Sequence, residues 1–193
     1  MGKTEKIKAT KKSEDPKVGR ARRMEAMAKA STVTFTLEPA VHRFMEALAK
    51  AAEMNLTHYM QKLVETHVID AAPKNDPLAM RLAGKRHVIN HALKTAAQLD
   101  AAGKFDEHFI LTVIKEAEKD GEFAKQYAAA LGGKDAEGTR AGERQRVSLN
   151  QQVGRVIKKA VGARSKRNEN GKIARAQVTG SIISTYTLLE KPS

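Results

Sequence analysis

The sequence contains no cysteine and no tryptophan. Disulfide stapling and thiolate chemistry, catalytic or metal-binding, are therefore excluded. Aromatic residues make up only 4% of the 193 positions, which disfavours a large sheet and a platform for stacking successive bases. No apolar run approaches the roughly 20 residues that span a bilayer, and no apolar stretch follows the first charges, so neither a membrane anchor nor a secretory signal is expected. What remains is a chain with 41% hydrophobic residues, many of them alanine, and a net charge of +13. That composition fits one or two small helical units in the cytoplasm.

The charge is segregated. Residues 1–30 carry +6 (ten Lys/Arg against four Asp/Glu), residues 31–75 carry −1 (four against five), residues 76–133 balance at eight against eight, and residues 134–193 carry +8 (thirteen against five). A basic tail and a basic C-terminal third point to a polyanionic partner, nucleic acid before an anionic membrane surface.

The pattern divides the chain at the same places. Residues 1–30 lack apolar periodicity and read as a flexible basic arm. Residues 31–75 open with the alternation Thr32-Val33-Thr34-Phe35-Thr36-Leu37 and then change period. Pro39 suits a first helical position, Val41, Phe44, Met45, Leu48 and Ala52 share a helical face, and Asn55 or Thr57 can cap a second helix running to about Ile69. Residues 76–133 predict three helices, near 78–101, 105–119 and 121–131, forming a helical insert. Residues 132–142 read as a glycine-rich linker. In residues 134–193 a second alternating stretch, Arg144–Asn150, precedes a helical face of Val153, Val156, Ile157, Ala160 and Val161. A further helical face at Val178, Ile182, Ile183, Tyr186 and Leu189 is one reading of the C-terminus; its β-branched residues equally suit a strand.

A lone strand leaves backbone N–H and C=O groups unpaired, so each alternating stretch needs a partner: the other stretch of the same chain, or a second subunit. Two such strands make a ribbon that fits the DNA major groove. The stretch "TVTFTL", the Glu38-Pro39 helix start, the Val41/Phe44/Leu48 face and the "NLT" turn resemble the ribbon-helix-helix (Arc/MetJ-like) DNA-binding family. The resemblance covers about 40 residues well and about 45 C-terminal residues loosely. It implies a mainly α fold of two ribbon-helix-helix (β-α-α) units with short strands, residues 31–75 and 134–193, flanking the insert. Their tandem order resembles accessory proteins of conjugative and T-DNA transfer. The resemblance implies that outward strand residues read bases, here Thr32, Thr34, Thr36, Arg144, Arg146 and Ser148, and that the second helix's start, Asn55-Leu56-Thr57, grips phosphate. The first unit departs from the family in showing only threonines on its reading face, and the second has a long basic inter-helix loop.

The cluster Lys158-Lys159, Arg164, Lys166-Arg167 and Lys172 suits a DNA-backbone clamp, with Lys158 and Lys166 its leading members, and equally suits RNA or a membrane surface. His87 and His91, four apart without a third ligand, read as a solvated helix face rather than a metal site. "AGKRH" (83–87) lacks the spacing of a phosphate loop, and no catalytic constellation stands out. The sequence thus predicts no enzyme and no cofactor. It predicts a cytoplasmic, nucleoid- or plasmid-associated protein that recognises double-stranded DNA as a repressor or as a transfer or partition accessory. The alternative is a structural protein binding nucleic acid without sequence preference through its basic ends.

Overall fold

The computed structural model describes residues 33–34, 36–52 and 54–192. Among them are six α-helices: α1 (Pro39–Ala51), α2 (Leu56–Ala71), α3 (Pro77–Ala101), α4 (Phe109–Ala117), α5 (Gly121–Ala130) and α6 (Arg140–Ala160), with a 3-10 turn at Gly133–Ala136. Four short strands follow, β1 (Arg164–Ser165), β2 (Arg175–Gln177), β3 (Thr185–Thr187) and β4 (Leu189–Glu190). The chain divides into two units, Met1–Phe44 and Met45–Ser193.

Short polar side chains start most of these helices. Asn55 Oδ1 accepts from the His58 N–H at 2.9 Å, Asp76 Oδ1 from Ala79 at 2.9 Å, and Asp120 Oδ1 from Glu122 at 2.9 Å. Thr139 Oγ1 does the same for Gly142 at 3.0 Å. Each satisfies an N–H that the first helical turn cannot.

The core of the second unit is built around α3, which packs against α2, α4, α5 and α6. Val88, Ala92, Ala96 and Leu99 of α3 meet Phe109, Val113 and Ile114 of α4, Phe123 and Tyr127 of α5, and Leu149, Val153 and Ile157 of α6. The aromatics are few, but Phe109 and Phe123 are both fully buried. Gly84 lets α3 and α5 approach closely: a Cβ there would lie 2.7 Å from the Gln126 carbonyl oxygen and 2.9 Å from the Ala130 nitrogen.

The C-terminal strands add Tyr186 and Leu189 to this core, and the segment leading into β3 adds Ile183. β1 pairs antiparallel with β4, and β2 with β3. At one level the three segments close a ring of backbone hydrogen bonds: Lys166 N–H to Leu188 O at 2.8 Å, Leu188 N–H to Ala174 O at 3.0 Å, and Ala174 N–H to Lys166 O at 2.9 Å. Three segments paired in a ring leave no open edge at that level.

The anticipated pair of ribbon-helix-helix units is not what the chain forms. Helices come first, and every strand among the described residues lies after residue 160. Of the first alternating stretch, Val33, Thr34, Thr36 and Leu37 have no strand conformation, while Thr32 and Phe35 lie outside the described residues. The second stretch, 144–149, is the interior of α6. The physical reason is the one that raised the pairing problem: a strand at 32–37 needs a partner, and the intra-chain candidate spends its hydrogen bonds within a helix. Within residues 178–189, readable as helix or strand, the chain forms β3 and the start of β4, in line with its β-branched residues, while β1 and β2 lie before it.

Candidate nucleic-acid interface

Helix α6 buries Leu149, Val153 and Ile157 against the core and leaves its opposite face to solvent. A groove runs along each flank of that exposed face.

The first groove, about 420 Å³, lies between α6 and the C-terminal strands. Ile110, Ile114, Val153 and Ile183 contribute its apolar surface, and Arg146, Arg155, Lys158 and Arg175 its charge; no carboxylate lines it. Asn150, Gln151, Ser165, Ser184, Thr185 and Thr187 supply uncharged hydrogen-bonding groups. The one aromatic ring lining it, Tyr186, is buried. Lys158 Nζ donates to Ser165 Oγ at 3.2 Å, which ties the α6 cation to β1. Arg175 sits on β2 because that strand pairs with β3 in the register Arg175↔Thr187, with Ala176 turned toward Tyr186.

The second groove, about 530 Å³, lies among α2, α3 and α6. Lys62, Lys85, Arg86, Arg155 and Lys159 line it against a single carboxylate, Glu65, which pairs with Lys85 at 3.7 Å. Arg155 lines both grooves.

The β unit is pinned in place by polar links. Glu107 accepts from Lys166 Nζ, and the bond holds the Glu107 carboxyl below the usual carboxylate range and raises the Lys166 ammonium. The Leu189 N–H donates to the Glu107 carbonyl at 3.0 Å, and His108 Nδ1 and the Tyr186 hydroxyl share a hydrogen bond at 2.9 Å. Glu118 accepts from the Ile182 N–H at 2.7 Å and Ser181 Oγ at 3.1 Å.

The anticipated contact residues therefore separate. Thr34 and Thr36 are exposed in irregular chain, and Thr32 lies outside the described residues. Asn55 caps α2 and also lines the second groove; Leu56 is half-buried and Thr57 exposed on α2, and neither lines a groove. Arg144 and Ser148 are exposed on α6. Arg146 is held by both Glu143 oxygens, at 2.8 and 2.7 Å, and by the Ile182 carbonyl at 3.2 Å; the Glu143 bond raises its pKa and lowers that of its partner. Lys158 reaches the first groove, whereas Lys166 is committed to Glu107. His87 and His91 stack 6.0 Å apart, and His91 Nδ1 lies 3.6 Å from Asp120; no group of three or more metal-binding side chains occurs among the described residues.

Sequence reasoning missed Arg155, Arg175, Lys62, Lys85 and Arg86. Arg155 was within reach, since it lies on the same helical face as Ser148 and Lys159. Arg175 was not, because only the β2–β3 pairing brings it opposite α6. No helix of the described residues is long and apolar enough to cross a membrane. No protein-family model matches this sequence, and comparison with curated proteins and with solved structures returns no match.

Proposed function

We propose that this chain binds double-stranded nucleic acid, with the groove between α6 and the C-terminal strands gripping the phosphate backbone. One observation carries the reading: Arg146, Arg155, Lys158 and Arg175 line that groove with no carboxylate among them. Arg146 is paired with Glu143 from outside the groove, and the other three, gathered where no carboxylate lines the wall, attract a polyanion and release its counterions on binding. The uncharged donors beside them suit phosphate oxygens. A single buried aromatic ring gives no surface on which unpaired bases could stack, which favours a duplex over a single strand. The basic residues 1–30 would add attraction from outside the described part of the chain. The protein acts here as a binder rather than a catalyst. It would work with the nucleoid or a plasmid in the cytoplasm, as a repressor or an accessory protein of DNA transfer or partition.

The test is titration of a fluorescent duplex across a salt series with the wild type and with Lys158→Glu/Arg175→Glu, both checked for native circular dichroism. Each lost phosphate contact should lower the slope of log affinity against log salt by about 0.9. The loss should be similar for unrelated sequences, since backbone contacts carry no sequence information. Unchanged affinity and slope in the double variant would remove the groove from the interface.

A further inference from the structure

The exposed side chains of α6 form a line that extends beyond the backbone grip, in which only its members Gln151 and Arg155 take part. Arg144, Ser148, Gln151, Arg155 and Lys159 are all exposed, at spacings of four, three, four and four residues. Those spacings keep them on one face of a helix. Leu149, Val153 and Ile157, buried on the opposite side, fix the rotation of the helix. The first groove borders this line on one flank and the second on the other, so α6 is a ridge between two cationic furrows that share Arg155.

We propose that this ridge enters the major groove of B-form DNA, with Arg144, Ser148 and Gln151 toward base edges and the two furrows over the phosphates on either side. The inference rests on the nucleic-acid reading above and narrows it to sequence-selective DNA. The dimensions agree: a helix with its side chains is about 10–12 Å across, and the major groove is about 12 Å wide. From Arg144 to Lys159 the ridge runs about 22 Å at 1.5 Å per residue. The residue types agree as well. Arginine pairs with guanine, glutamine with adenine, and serine with either donors or acceptors on base edges. Val147, 45% exposed beside the line, offers an apolar contact for a thymine methyl. Charge agrees on both flanks, since the second groove has five cations against Glu65. A-form RNA presents a major groove too narrow for such a ridge, so the geometry discriminates between the two duplexes.

The experiment selects preferred duplexes from a random DNA pool with the wild-type protein, then titrates three probes: the selected DNA, a scrambled DNA and the selected sequence as duplex RNA. Arg144 and Gln151 are changed to alanine singly, with Lys158→Glu/Arg175→Glu and Lys85→Glu/Arg86→Glu as furrow variants. Arg144 lines neither furrow, so its removal tests the ridge alone. Either alanine variant should reduce the selected-to-scrambled affinity ratio by about 5- to 150-fold, while each furrow variant lowers affinity for both DNAs. The RNA duplex should bind no better than scrambled DNA. If no preferred sequence emerges, if the ratio survives both alanine variants, or if RNA binds as tightly as selected DNA, the ridge is not a reader. Backbone binding then still stands if Lys158→Glu/Arg175→Glu weakens every probe, and falls with the ridge if it weakens none.

Discussion

Removing the Tyr127 hydroxyl should reveal how firmly the first groove is built. Tyr127 is buried on α5, and its hydroxyl donates to Asn150 Oδ1 at 2.7 Å. Asn150 Nδ2 in turn donates to the Ile182 carbonyl at 3.1 Å. This chain links α5, through α6, to the segment that leads into β3. Burial, ahead of every other influence, pushes the Tyr127 phenol up to about 12, so it keeps its proton and is the donor to Asn150. In Tyr127→Phe the half-buried Asn150 oxygen can turn to water, and the loss should be that of one ordinary hydrogen bond, about 0.5–1.5 kcal/mol. Asn150→Ala is worse, because it strands a hydroxyl on a buried ring, at about 1–3 kcal/mol. The Ile182 carbonyl keeps its bond from Arg146. The double variant no longer has an orphaned hydroxyl, so it should be less destabilised than the sum of the single variants, by about 1 kcal/mol. Urea unfolding with a shared m-value measures all four proteins. The sign with pH is set by the raised phenol. The unfolded tyrosine ionises near pH 10 while the folded one holds its proton to about 12, so this contribution is intact below pH 10 and is lost as pH rises toward 12. Tyr127→Phe should flatten that loss. Additivity within about 0.3 kcal/mol, or a Tyr127→Phe cost equal to that of Asn150→Ala, would refute the reasoning.

Two further outcomes follow from the polar links that hold the C-terminal strands and α6. Lys166 holds the Glu107 carboxyl below its ordinary range, so the link strengthens the fold above that range and is lost as pH falls through the lower folded value; hydrogen exchange of Leu188 and Leu189 should accelerate over that acid window in the wild type and show no such step in Glu107→Gln, and equal profiles would contradict it. Arg146→Ala removes a pair that is partly open to solvent, so it should cost about 0.2–1 kcal/mol in unfolding experiments while leaving the selected-to-scrambled DNA ratio unchanged; a collapse of that ratio would return Arg146 to the reading face.

The helices were legible where sequence supplies both a start and a period. Asp76-Pro77 and Asp120-Gly121 mark starts, and the structure places α3 at Pro77–Ala101 and α5 at Gly121–Ala130, close to the 78–101 and 121–131 read from pattern. The anticipated helix 105–119 shortens to Phe109–Ala117, because Phe105 and Asp106 are irregular and Glu107 and His108 form the turn that leads into α4. The strands were hard to read for a different reason. Each is two or three residues long, too short for alternation to register. The local signal is Asn170-Gly171, a dipeptide suited to tight hairpin turns; Gly171 has φ of 72°, a left-handed value that favours glycine. The grooves were less legible still, since their walls come from segments far apart in sequence.

The stretch 144–149 shows how one error of period reassigns chemistry without changing a residue. As a strand, Arg144, Arg146 and Ser148 share a face, because side chains alternate. As a helix, two residues turn the chain by about 200°, so Arg146 faces almost opposite to Arg144, whereas Ser148 stays beside it. The structure makes that division physical: Arg146 bonds Glu143 and the Ile182 carbonyl, while Arg144 and Ser148 remain exposed. Six residues were too few to choose between the periods, because Val147 and Leu149 fit alternation while Leu149, Val153 and Ile157 fit a helix. The longer run decides, since its buried positions continue across α6 at spacings of four. The glycine at 142 looked like part of a linker. It lies inside the first turn of α6, where a Cβ would stand 2.1 Å from the Ala136 carbonyl oxygen. Glycine here serves close packing against the preceding turn, and the helix begins at Arg140, within the segment read as a linker.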